Sequence, residues 1–281
     1  MAHTATPHRL AAYADAYPVV LFFILAYALS GAVWIPGALV LQGTSAQIAH
    51  YLGAFGPMIA AICVIRLRGG SVAAWFIGLF KWRVALKWYA FALLFPAFLV
   101  AVMSGLYVAL GYTLEWDLLP QRLALYAPTL VMMALIGGGN EEPGWRGFAL
   151  PHLLKSYSPV LTTAMLGVVW ALWHWPILLS NPEIMAGAMP VSAIAALVGV
   201  TLISIAVHAF WYTWLWQHTG SVLLCILLHA SYNTANGQLL LVGVEALSGP
   251  AYETLLLLMT SVLIASVVIL LIATRGRLGA Q

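Results

Sequence analysis

The chain has 281 residues, 63% of them hydrophobic and only 7% charged, with a formal net charge of +3 and a mean hydropathy of +0.98. This balance excludes an ordinary soluble domain and gives no reason to invoke a nucleic-acid partner. Apolar runs of about 18 residues or more recur along the chain, which predicts an all-α polytopic membrane protein. The strands of a membrane β-barrel would instead alternate apolar and polar residues over about ten positions.

In chain order, eight transmembrane helices are expected near residues 18–41, 47–66, 87–110, 123–150, 160–180, 191–216, 220–242 and 253–273. The first run is too long for the apolar core of a cleaved signal peptide, so it reads as a retained span. The longest connection, near 67–86, leaves no room for a soluble domain, and residues 1–281 read as a single membrane domain. Cys63 and Cys225 fall inside apolar runs and read as small core hydrophobes. With eight spans, Arg9, Arg66, Arg68, Lys81, Arg83, Lys87, Arg146, Lys155, Arg275 and Arg277 share one side, and Arg122 falls opposite. The positive-inside rule makes the basic side cytoplasmic, with both termini inside. Glu115, Asp117, Glu183, Glu245 and Glu253 fall on the far side. The Ala-rich, Lys-poor composition suggests a prokaryotic source, hence a multi-pass protein of the plasma membrane.

Polar groups within spans are costly and so informative. In "EEPGWR", Glu142 and Arg146 stand i,i+4 on one helix face and can neutralise each other. Glu141 is rotated about 100° away and has no local partner. A carboxylate without a counter-ion in a poor dielectric suits a general base; an ordinary ion pair at a helix end is the competing reading. In "VVWALWHWP", Trp170 and His174 share a face, and Pro176 loosens the helix just beyond them. In "LLHASYN", His229 and Asn233 point the same way and can donate toward one point, or simply glue helices together. His208 reads as structural. Glycines 137, 138, 139 and 144 with Pro143 predict an irregular fourth span, and irregular backbone at that depth should line a wet cavity. A polar intramembrane cavity in the cytoplasmic half of the bilayer is therefore expected.

These three motifs, in this order and in separate spans, resemble those of the CAAX-protease and bacteriocin-processing (CPBP, or Abi) family. "EEPGWR" is similar to its Glu-Glu-x-x-x-Arg motif, "WALWH" to its aromatic-x-x-x-His motif with Trp170 where Phe is usual, and "HASYN" to its His-x-x-x-Asn motif. The resemblance covers a catalytic core of about 123–240. It implies an intramembrane endopeptidase acting near the C-terminal or membrane-proximal part of a peptide or protein substrate, which is prenylated for some members. In that likeness Glu141 activates a water, His174 holds it, His229 and Asn233 stabilise the oxyanion, and Glu142 and Arg146 support them. Glu141, His174 and His229 would be the ligands if zinc were bound; the three come from separate helices and no His-Glu-x-x-His run is present, which favours water activated without a metal. A non-catalytic immunity or scaffold protein of the same family is the main alternative. A transporter is disfavoured, because no internal repeat is evident.

Overall fold

A computed structural model describes residues 6–243 and 249–279, and every regular element among them is helical. Glu245 and both chain ends, on which the reading of sidedness partly rests, lie outside the described residues. The helices are α1 (Thr6–Ala16), α2 (Pro18–Val40), α3 (Gly43–Gly53), α4 (Gly56–Leu67), α5 (Val72–Leu79), α6 (Leu86–Ala109), α7 (Leu119–Ile136) and α8 (Gly138–Gly144). A π-helical turn, Trp145–Ala149, leads into α9 (Leu150–Leu153). Then follow α10 (Pro159–Trp173), α11 (Trp175–Leu179), α12 (Pro182–Met185), α13 (Val191–Thr219), α14 (Val222–Gln238) and α15 (Gly249–Ala273).

The starts and stops follow local chemistry. Proline opens α2 and α10, where its missing N–H costs nothing. Ser71, Ser158 and Ser221 cap α5, α10 and α14 by accepting from backbone N–H groups of the first turn. Gly220, at φ 61°, ends α13 in the left-handed conformation.

Seven helical stretches among the described residues are long and apolar enough to cross a bilayer. They correspond to the expected spans except for the seventh, 220–242. That span is α14, whose 17 residues fall short of the roughly 20 that a crossing takes. The fourth span is irregular, as its glycines and Pro143 predict: α7 stops at Gly137, and the π turn follows α8.

The solvation pattern is inverted relative to a soluble protein. Leu94 in the middle of α6 is 65% exposed and Ile269 on α15 is 66% exposed, while Glu142 and Arg146 are fully buried. An apolar exterior around a polar centre is what a hydrocarbon solvent selects.

Successive passes alternate in direction and gather the loops at two ends. At one end Arg68 pairs with Asp15 at 3.2 Å, and Ser221 Oγ donates to Lys81 O at 2.7 Å. At the other end Glu115 N–H donates to Leu241 O at 2.8 Å. Of the 11 basic residues, nine stand at the first end and Arg122 at the second. Arg146, expected to flank a span there, is instead wholly buried, so it counts for neither side.

Candidate active site

The site grows from the close approach of α8 to two neighbours. A Cβ at Gly138 would sit 2.7 Å from Ile226 O and 3.1 Å from His229 Cβ, so only glycine lets α8 lie this near α14. A Cβ at Gly144 would likewise collide with the Pro57 backbone of α4. These contacts carry Glu141 and Glu142 into the centre of the bundle.

Glu142 is the anchor. Its Oε1 accepts from Arg146 Nη1 at 3.1 Å, as the i,i+4 spacing predicts, and also from His229 Nδ1 at 2.8 Å. The Arg146 guanidinium lies between two aromatic faces, 4.2 Å from the Trp170 ring centroid and 4.1 Å from that of Tyr212. One cation thus faces a carboxylate and two π faces in a water-poor core, with its Nε and Nη2 making no hydrogen bond among the described residues.

Trp170 is the hub of the site. Its Nε1 donates to Glu141 Oε2 at 2.8 Å. Its ring packs edge to face against His174 at 5.7 Å and His229 at 5.8 Å. Glu141 is 6% exposed, and its Oε1 has no hydrogen bond among the described residues. His174 occupies the break between α10 and α11, one residue before the helix-loosening pair Trp175 and Pro176. Its Nδ1 lies 2.8 Å from Trp170 O. A carbonyl can only accept, so Nδ1 carries the proton and the neutral ring offers a lone pair at Nε2. His229 is tied the same way, since Nδ1 donates to Glu142 and Nε2 is left over. Asn233, one turn further along α14, is exposed and makes no hydrogen bond among the described residues.

Glu141, Trp170, His174, His229 and Asn233 all line one cavity of about 490 Å³. The spacing-based pairs are therefore brought together. Among the further lining residues, not expected there, are His208, 3% exposed, and Tyr212, fully buried. Their rings lie 4.7 Å apart, and His208 also packs on Tyr232 at 4.0 Å. The i,i+4 spacing of His208 and Tyr212 was the signal that could have found them.

The lining of that cavity also includes Tyr51 of α3, Val200 and Thr201 of α13 and Leu256 of α15.

No group of three or more His, Cys, Asp or Glu side chains among the described residues is arranged to hold a metal ion. Glu141, His174 and His229, the ligands that a zinc ion would use if one were bound, do not form such a group as they stand.

Residues 122–235 match the family model described as Type II CAAX prenyl endopeptidase Rce1-like. The chain is also similar to the CAAX prenyl protease 2 of Methanococcus maripaludis, with 36% identity over 56 residues. That stretch is 20% of this chain and 20% of the relative's length. The matched segment contains all three motifs and every residue of the cluster around Trp170, from Glu141 to Asn233. Through that segment the chain is similar to the Rce1-like family of type II CAAX prenyl endopeptidases.

Proposed function

We propose that the protein is an intramembrane endopeptidase that hydrolyses a peptide bond with a glutamate-activated water. The observation that carries this reading is the pair of oxygens of Glu141: one is held by Trp170 and the other faces a cavity shared with His174, His229 and Asn233. Residues 1–281 act as one membrane domain with a catalytic core over about 123–240. The short α14 is the eighth crossing, and the cavity is a polar chamber within the bilayer. The basic end faces the cytoplasm, as do both termini, in the plasma membrane of a prokaryote.

In the proposed reaction a water sits between Glu141 Oε1 and His174 Nε2, both acceptors. Glu141 takes one proton as the oxygen attacks the carbonyl carbon. The carbonyl electrons move to oxygen, and the oxyanion forms beside the Asn233 amide and His229 Nε2. His229 donates there through Nε2 as an imidazolium, while its Nδ1 donates to Glu142. When the C–N bond breaks, Glu141 returns the proton to the leaving amine, so base and acid are the same group. Donors already in place when charge develops need no reorganisation, the main source of rate in such sites. The reaction needs no metal. The substrate is a polypeptide segment held at the membrane, anchored by a prenyl group or by its own apolar residues.

The test is a comparison of protein termini in cells carrying the wild-type chain and cells carrying Glu141→Ala at equal membrane abundance. Termini produced in the first and missing in the second support turnover. Identical sets of termini contradict it and favour a non-catalytic member of the family.

A further inference from the structure

We infer that α5 and the turn that follows it form a binding site for the headgroup of an acidic phospholipid, with Arg83 and Lys87 taking the phosphate. The site stands apart from the catalytic cavity and holds whatever that cavity does.

The sequence sets up the charge. Arg66, Arg68, Lys81, Arg83 and Lys87 lie in a stretch with no acidic residue between Asp15 and Glu115. Asp15 is taken by Arg68 at 3.2 Å. Lys81, Arg83 and Lys87 are exposed, and none of them has an ion pair among the described residues. Two of these cations rest on indole rings instead. The Arg83 guanidinium is 4.9 Å from the Trp82 ring centroid, and Lys87 Nζ is 5.1 Å from that of Trp88. A cation held on a ring face keeps N–H donors free for a phosphate oxygen.

The segment is fixed in place. Trp82 O accepts from the Tyr89 hydroxyl at 2.7 Å, and Lys81 O accepts from Ser221 Oγ at 2.7 Å. The inner side of α5 is pinned: Trp75 Nε1 donates to Gly147 O at 3.1 Å, and Leu79 packs with Val222 and Ile226. The outer side is apolar, with Phe76, Ile77 and Phe80 exposed, and Trp82 is exposed beyond them. With 8 residues, α5 is about 12 Å long and too short to cross the hydrocarbon. A short helix with one packed face and one apolar exposed face, followed by tryptophans and cations, belongs at the headgroup level.

Charge complementarity selects the occupant. A zwitterionic headgroup brings its own cation beside the phosphate, which this cluster repels. An acidic phospholipid such as phosphatidylglycerol brings the phosphate alone. Its acyl chains lie along Phe76, Ile77 and Phe80, contacts that a free phosphate ion does not make.

The full chain, purified in a neutral detergent, is titrated with phosphatidylglycerol or with phosphatidylcholine of the same acyl chains, and bound lipid is counted by native mass spectrometry. Phosphatidylglycerol is expected to bind the wild type at least about tenfold more tightly. Arg83→Gln/Lys87→Gln should weaken that binding about fivefold for each charge removed. Arg9→Gln/Lys155→Gln removes two exposed cations from the same end and should change it less than about twofold. Arg83→Lys/Lys87→Arg keeps both charges and should bind as the wild type does. Equal affinity for the two lipids overturns the inference. So does an equal loss in the two glutamine variants, which would mean diffuse attraction, or displacement of the lipid by millimolar inorganic phosphate, which would mean a simple anion site. The titration needs no turnover, so its outcome and that of the Glu141→Ala comparison are independent.

Discussion

Trp170 Nε1 reaches across 29 residues of sequence to hold Glu141 Oε2 at 2.8 Å. This bond decides which oxygen of the carboxylate meets the cavity. A hydrogen bond to a charged group is worth about 1.5–3 kcal/mol, and in the proposed mechanism it orients the base. Trp170→Phe keeps a ring face for Arg146 and is the residue usual in the resembling motif, so the variant folds. Its kcat is expected to fall about tenfold or more with KM unchanged, as measured by steady-state peptide cleavage. A change confined to KM would show that Trp170 contacts substrate instead.

Short-range geometry was legible in the sequence, and long-range partners were not. The i,i+4 rule paired Glu142 with Arg146 and placed Trp170 beside His174, both as found. The same rule left Glu141 without a local partner, which is correct, yet its partner is Trp170 on another helix. It could not show that Glu142 holds His229, 87 residues away, because that contact depends on α8 meeting α14 at Gly138. Hydropathy located the spans, seven of them as helices long and apolar enough to cross, while α14 carries polar groups at the site and has 17 residues.

Glu142 and Arg146 form a fully buried ion pair, so removing one partner strands the other charge. Glu142→Gln is expected to lose about 3 kcal/mol of stability, on the scale for broken buried pairs. Thermal unfolding in detergent reads this. The double variant Glu142→Gln/Arg146→Gln should lose less than the two single losses added together. Strict additivity would mean that the pair is not coupled.

Asn233 is exposed to the cavity and makes no hydrogen bond among the described residues, so stability does not depend on it. Asn233→Ala should leave the melting temperature unchanged while kcat drops about 10²- to 10³-fold, the usual cost of one oxyanion donor. A variant with wild-type kcat would remove Asn233 from the mechanism.

The proposed chemistry uses no metal. Dialysis of the purified protein against a strong zinc chelator is expected to leave the cleavage rate intact, with less than one equivalent of zinc found beforehand by elemental analysis. Loss of activity on chelation, restored by adding zinc, would reassign Glu141, His174 and His229 as ligands.

The central claim is that Glu141 is the base that activates water, and Glu141→Gln tests it most directly. The amide keeps the shape and still accepts from Trp170 Nε1, so the fold is retained. The cleavage rate of the purified variant should fall by at least about 10²-fold, the lower bound for losing a general base, with an unchanged melting temperature. Cleavage at the wild-type rate by a folded Glu141→Gln protein would contradict the account.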